Sequence, residues 1–114
     1  MISSPVKWED VVAFATELPE VTESTLYGTP ALKVGGKSFA RLRTEAEGGL
    51  VLMCGLDAKE TLLASGDPAF STTPHYDGCG VVVVDLGLVD AARLRELVEQ
   101  TWHRKASKRV KAQL

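Results

Sequence analysis

The chain has 114 residues, 45% of them hydrophobic and 25% charged, with a formal charge of −2 and a pI near 5.7. That is one domain's worth of chain, long enough to hold a single core without staples. The composition excludes wholesale disorder, a fibrous chain and a disulfide scaffold, and the bulk charge excludes a uniformly basic nucleic-acid binder.

Read in chain order, Ser3-Ser4-Pro5 predicts a helix start, with Ser4 as N-cap and Pro5 at the first helical position. Trp8, Val11, Val12, Ala15 and Leu18 follow at helical spacing until Pro19 stops the helix at about Leu18. The period then changes. Thr22–Tyr27 is a short segment rich in Thr, and Gly28-Thr29-Pro30 reads as a turn. Ala31–Val34 and Lys37–Arg43 flank Gly35-Gly36, a two-residue hairpin signal. Phe39 and Leu42 break strict alternation, which admits a bulge. Thr44–Gly49 is a polar loop, and Leu50–Cys54 is an apolar strand.

Asp57-Ala58-Lys59-Glu60 has the spacing of a capping box. It opens a short helix, Ala58–Ser65, closed by Gly66. Ala69–Gly80 is loop or edge strand, Val81–Asp85 a β-branched strand, and Asp90 caps a last helix with Val89 and Leu94 placed as a hydrophobic staple. Trp8 and Trp102 fall on inner helix faces, where core packing is the default. The expected fold is therefore α+β: two layers, a curved antiparallel sheet of about five strands and three helices, in the order α-β-β-β-β-α-β-α. One domain spans residues 1–114, with a basic C-terminal segment over 103–114.

The two cysteines, Cys54 and Cys79, have no second ligand at zinc spacing beside either, so two thiols in a reduced cytoplasm are expected, with no metal or cofactor. The N-terminus lacks the pattern of a secretory leader. No apolar stretch approaches the ~18 residues of a membrane span. Leu50–Cys54 and Val81–Val84 are apolar throughout, whereas a strand in a one-sided sheet alternates. Either both faces are covered or the outer face is a partner surface, for which a homodimer is one reading.

The run Leu18-Pro19 with Glu20 and Glu23, then Tyr27-Gly28-Thr29-Pro30-Ala31-Leu32-Lys33-Val34 and Lys37-Ser38-Phe39-Ala40-Arg41-Leu42, resembles the MmcQ/YjbR-like family. So do Thr73-Pro74-His75-Tyr76-Asp77-Gly78 and Thr101-Trp102 followed by Arg104, Lys105, Ala106, Lys108 and Arg109. The resemblance covers nearly the whole chain. It implies a compact α+β domain with a curved antiparallel sheet, and DNA binding through a double-wing arrangement of hairpins. It supplies no catalytic residues. The resemblance implies proline, as in many members of that family, after the alanine near the C-terminus, where this chain has Ser107.

Three features carry functional readings. The charge is uneven: residues 1–99 hold eight Lys/Arg against fifteen Asp/Glu, a balance of −7. Residues 100–114 hold Arg104, Lys105, Lys108, Arg109 and Lys111 with no acid, a balance of +5. At 100° per residue these five cations span about 160° of one face, continuing the face of Leu94, Leu97, Val98, Thr101 and Trp102. Charges cannot be buried unpaired, so the helix must overhang the body or break close to His103–Ala106. An overhanging prong would suit a phosphate backbone; the plainer reading is a cationic C-terminus that complements the helix dipole.

The second feature is the hairpin, where Lys33, Lys37, Arg41 and Arg43 offer either phosphate contacts or protection of an edge against aggregation. The third is the loop His75-Tyr76-Asp77. It is read first as a turn pinned by the histidine ring, then as a ligand or phosphate contact, and last as a thiol–imidazole pair with Cys79. The sequence thus points to non-enzymatic binding of double-stranded DNA through Lys33, Lys37, Arg41, Arg104, Lys105, Lys108, Arg109 and Lys111. The alternative is a small-molecule or protein-binding module, acting as a homodimer, with Tyr27, His75 and Tyr76 lining a pocket.

Overall fold

A computed structural model describes residues 5–114. Its elements are α1 (Trp8–Thr16), β1 (Val21–Leu26), β2 (Thr29–Val34), β3 (Lys37–Leu42), β4 (Leu50–Leu52), α2 (Leu56–Ala64), β5 (Phe70–Ser71), β6 (Val82–Val84), α3 (Ala91–Lys105) and α4 (Lys108–Lys111). A single 3-10 turn lies at Pro74–Tyr76. The α+β class holds, with six strands and four helices in place of the expected five and three. All strand pairings are antiparallel, in the spatial order β1-β2-β3-β4-β6-β5.

Both two-residue turns follow from backbone handedness. Tyr27-Gly28 joins β1 to β2 with φ of 54° and 77°, and Gly35-Gly36 joins β2 to β3 with φ of 55° and 82°. Positive φ at both central positions matches the twist of the flanking strands. The first turn therefore starts one residue earlier than expected, and Thr29 and Pro30 belong to β2. The expected irregularity in β3 is a bulge. Leu32 faces Ala40 but Lys33 faces Ser38, which leaves Phe39 as an extra residue. Phe39 and Ala40 consequently both enter the core.

That core lies between one face of the sheet and the helices. It joins Val11 and Ala15 of α1, Leu32, Val34, Leu50, Leu52, Val82 and Val84 of the strands, Leu62 of α2, and Leu94, Leu97, Val98 and Trp102 of α3. Trp102 is fully enclosed and donates Nε1–H to Pro19 O at 3.0 Å, while Trp8 packs half-buried at the margin.

Two helix starts differ from expectation and one agrees. Ser4 lies outside the described residues, and Pro5 precedes α1 rather than opening it. Val6 N–H donates to Leu86 O at 3.1 Å, which keeps this stretch extended, and Asp10 Oδ2 accepts from Lys7 N–H at 2.9 Å where the helix starts. In α2 the N-cap position is Gly55, so Asp57 stands inside the first turn and the predicted capping box is not formed. Asp90 does cap α3, accepting from Arg93 N–H at 3.0 Å.

At its C-terminal end α3 breaks. Ala106 is extended (φ −69°, ψ 141°), and Ser107 Oγ accepts from Val110 N–H at 3.3 Å to start α4. The break resets the helical wheel. Ala106 and Val110 turn into the core, Val110 being only 1% exposed, while Arg104, Lys108, Arg109 and Lys111 face outward. Of the two readings of the basic tail, the overhanging prong is thus replaced by a docked one, because the interrupted helix buries its few apolar residues without burying charge.

Candidate functional site

The strand register places one row of residues across the sheet face opposite the core: Ala31 opposite Arg41, Arg41 opposite Val51, and Val51 opposite Val83. None of the four belongs to the main core, yet all are buried. The chain covers this face itself, so the apolar strands β4 and β6 are accounted for without a partner. The cover includes the segment after β5, and beside it a cleft of about 610 Å³ opens, lined by Leu26, Tyr27, Arg41, Thr44, Glu47, Val51, Met53, His75, Tyr76 and Val81. That size is in the range of small-molecule sites.

Arg41 is the most buried polar residue of the cleft's lining. It is 8% exposed. Its Nη1 donates to Thr29 Oγ1 at 3.1 Å and its Nη2 to the Tyr76 hydroxyl at 3.1 Å. The Thr29 hydroxyl in turn donates to Leu26 O at 3.0 Å. The guanidinium also lies 5.6 Å from the centre of the Tyr27 ring, within cation–π range. Tyr27 itself is 85% exposed, at a left-handed φ. The His75 and Tyr76 rings meet edge to face at 5.0 Å.

Thr44 and Glu47 close one side of the cleft. Glu47 Oε1 accepts from the Thr44 hydroxyl at 3.0 Å, and Oε2 lies 3.6 Å from Arg43 Nη2. The hydrogen bonds from Thr44, and then the charges of Arg43 and Arg41, hold the Glu47 carboxyl below its ordinary value. Arg43 Nε is buried without a hydrogen-bond partner among the described residues.

Under the other wall, the buried Lys59 (4% exposed) donates its Nζ hydrogens to Tyr76 O at 2.6 Å and Cys79 O at 2.9 Å. Gly55 N–H donates to Gly80 O at 2.9 Å, and a Cβ on Gly80 would stand 2.8 Å from Gly55 Cα, so only glycine lets the two segments approach. These contacts hold the aromatic wall in place.

The YjbR family's sequence profile matches residues 16–104, which spans the cleft, the sheet and α3. The chain belongs to the YjbR family. Uncharacterized protein Rv2570 of Mycobacterium tuberculosis and Uncharacterized protein Mb2600 of Mycobacterium bovis are each 25% identical to it over 117 residues, covering 90% of this chain and 91% of each relative. No solved structure matches the chain.

The YjbR chain gathers Tyr27, His75 and Tyr76 around one cleft, as the pocket reading expects. Arg41, grouped by sequence with the hairpin cations, belongs to that cleft instead. Lys37 is exposed beside the Gly35-Gly36 turn, and Lys33 is half-buried. Gly35 N–H donates to Glu20 O at 3.5 Å, and Glu20 Oε2 lies 3.4 Å from Arg109 Nη2, so the hairpin turn and the basic tail border one acidic residue. Arg104 is elsewhere, against Gly55 in a smaller cleft with Cys54, Asp57 and Gly80, and Lys105 is half-buried.

The sequence reading has the His75 ring pin this loop; no side-chain hydrogen bond from His75 occurs among the described residues, and Lys59 holds the loop through main-chain carbonyls. Cys79 is exposed and lies outside the cleft's lining, and both thiols are free. Sequence reasoning missed Lys59 and Thr29. A lysine inside a capping-box pattern reads as a surface residue, and the threonine was assigned to a turn. No helix among the described residues is long and apolar enough to cross a membrane.

Proposed function

We propose that this YjbR chain is a non-enzymatic cytoplasmic module that binds a small organic molecule in the cleft on the outer sheet face. The observation that carries the reading is Arg41, a buried guanidinium at the base of a cleft walled by the rings of Tyr27, His75 and Tyr76. Mostly apolar clefts with a few convergent polar groups are the usual form of small-ligand sites. The arrangement is complete within one chain, so it needs no second copy. Titration of isotope-labelled protein with naphthyl compounds, followed by amide shifts, tests it. Shifts confined to Tyr27, Arg41, Val51, His75 and Tyr76 are expected. Shifts absent from that set would remove the reading.

A second reading, double-wing binding of double-stranded DNA, is supported by the meeting of the Gly35-Gly36 turn and the tail at Glu20. Lys33, Lys37, Lys108, Arg109 and Lys111 then contact phosphates, with Arg104 and Lys105 adjoining, and Arg41 takes no part. Binding should weaken with salt, and each lost phosphate contact should reduce the log–log slope by roughly 0.9. Lys37→Gln and Lys108→Gln are suitable variants, because both side chains are exposed. Truncation after Trp102 is not, since it removes the buried Ala106 and Val110. A slope unchanged in both variants would count against this reading.

A further inference from the structure

The charges around the cleft specify more than its shape does, and this step rests on the small-molecule reading. Arg41 sits in an apolar row, between Ala31 and Val51. Its two hydrogen-bond partners, Thr29 Oγ1 and the Tyr76 hydroxyl, are neutral. Among the described residues no carboxylate lies within ion-pair distance of it. A buried guanidinium with no opposite charge is unfavourable. Arg43, two residues further along the chain, takes the one carboxylate on this wall, Glu47, and still leaves its Nε unpartnered. Glu47 is in addition tied to Thr44. Two guanidinium groups therefore share one carboxylate, and the wall is short of one negative charge.

We propose that the ligand supplies it: the cleft takes a small organic monoanion, a carboxylate carried on a flat apolar body. The hydroxyl geometry favours an acceptor beside Arg41. The Thr29 proton is committed to Leu26 O, but the Tyr76 hydroxyl accepts from Arg41 and keeps its own proton free for an incoming oxygen. A carboxylate also matches the planar fork of the guanidinium. The body of the ligand lies among Tyr27, Val51, Met53, Tyr76 and Val81, whose rings and aliphatic groups suit a flat aromatic or alicyclic frame. A dianion fits less well, because its second charge would face Glu47.

The test compares naphthoate with its neutral isostere naphthamide on the intact protein, reading dissociation constants and amide shifts at Arg41, Val51 and Tyr76. Naphthoate should bind at least about tenfold more tightly, the usual scale of a charge-assisted hydrogen bond. Arg41→Gln should bring the ratio of the two dissociation constants close to one, a readout in which any loss of affinity common to both compounds cancels. If Arg41→Gln does not fold, Tyr76→Phe, which removes the hydroxyl that accepts from Arg41 and offers its own proton to the ligand, should reduce the preference severalfold.

Equal binding of the two compounds at the cleft overturns the charge assignment and leaves the small-molecule reading standing. Absence of shifts with either compound overturns both. Displacement of naphthoate by inorganic phosphate at equal concentration overturns the carboxylate-on-apolar-body class.

Discussion

The ammonium of Lys59 on α2 meets the main-chain oxygen of Tyr76 at 2.6 Å, and the same nitrogen reaches Cys79 O at 2.9 Å. One buried cation thus ties the helix to two points, Tyr76 and Cys79, of the segment beside the cleft. Main-chain carbonyls are its only partners among the described residues. A lysine with three donors satisfies such a pair more readily than any apolar side chain of similar length. Lys59→Met leaves the stem's packing but orphans the Cys79 carbonyl and takes one of two donors from Tyr76 O, which keeps the Cys79 N–H, so it should destabilise the fold by about 1–3 kcal/mol. Hydrogen exchange should show the effect concentrated at residues 76–81. Uniform loss of protection across the sheet, with no excess at that segment, would contradict the pinning role.

What sequence made legible here was local. The Gly35-Gly36 hairpin, the bulge at Phe39, the Asp90 cap and the inner face of α3 all follow from spacing within a few residues. What it hid was set by distant partners. Arg41 reads as one of four hairpin cations, and its burial depends on the bulge that fixes its register and on Tyr76, thirty-five positions later. The wall at Pro74–Tyr76 depends on Lys59, seventeen positions before Tyr76. At the tail the wheel forced a choice between overhang and break, and the apolar Ala106 and Val110 among the cations were the signal for the break.

The break also makes Ser107 ready for proline. Its φ is −70°, Ala106 before it is extended, and Ser107 N–H meets no backbone acceptor among the described residues. Proline fits all three conditions. Ser107→Pro gives up a cap bond of about 1 kcal/mol and stiffens the unfolded chain by about 0.4–1 kcal/mol. The net change in urea-induced unfolding should stay within about 0.5 kcal/mol, the difference of those two effects. Ser107→Ala should be the more damaging of the two substitutions, since it loses the cap with no compensation. A larger loss for proline would mean that residues 106–107 are not held as described.

Burial raises the Cys54 thiol above the ordinary thiol value, with desolvation the largest cause. The folded protein thus favours the neutral thiol, and the unfolded chain ionises first as pH climbs. The contribution is complete below the ordinary thiol value and is lost as pH rises through it toward the folded one. Cys54→Ala should flatten part of the alkaline decline in stability. In alkylation followed by mass spectrometry at neutral pH, the exposed Cys79 should react well before Cys54. Equal labelling rates in the folded protein would contradict the desolvation.

Tyr27 sets stability against binding. It holds φ at 54° in a turn whose second residue is glycine, a place where asparagine is much better suited. A non-glycine residue there is strained by roughly 1 kcal/mol. Its ring, mostly exposed, lies over the Arg41 guanidinium at the mouth of the cleft. Tyr27→Asn relieves that strain, as Asn-Gly is the preferred pair for this turn, but it also loses the cation–π contact with Arg41, about 0.5–1 kcal/mol within the protein, so stability should change by less than about 0.5 kcal/mol. The same change removes one apolar wall of the cleft, so naphthoate binding should weaken by about three- to tenfold. An affinity that falls while stability holds separates a turn kept for its ring from a turn that is merely imperfect. Unchanged affinity would leave Tyr27 outside the site, and a stability loss above about 1 kcal/mol would show the left-handed tyrosine to be unstrained.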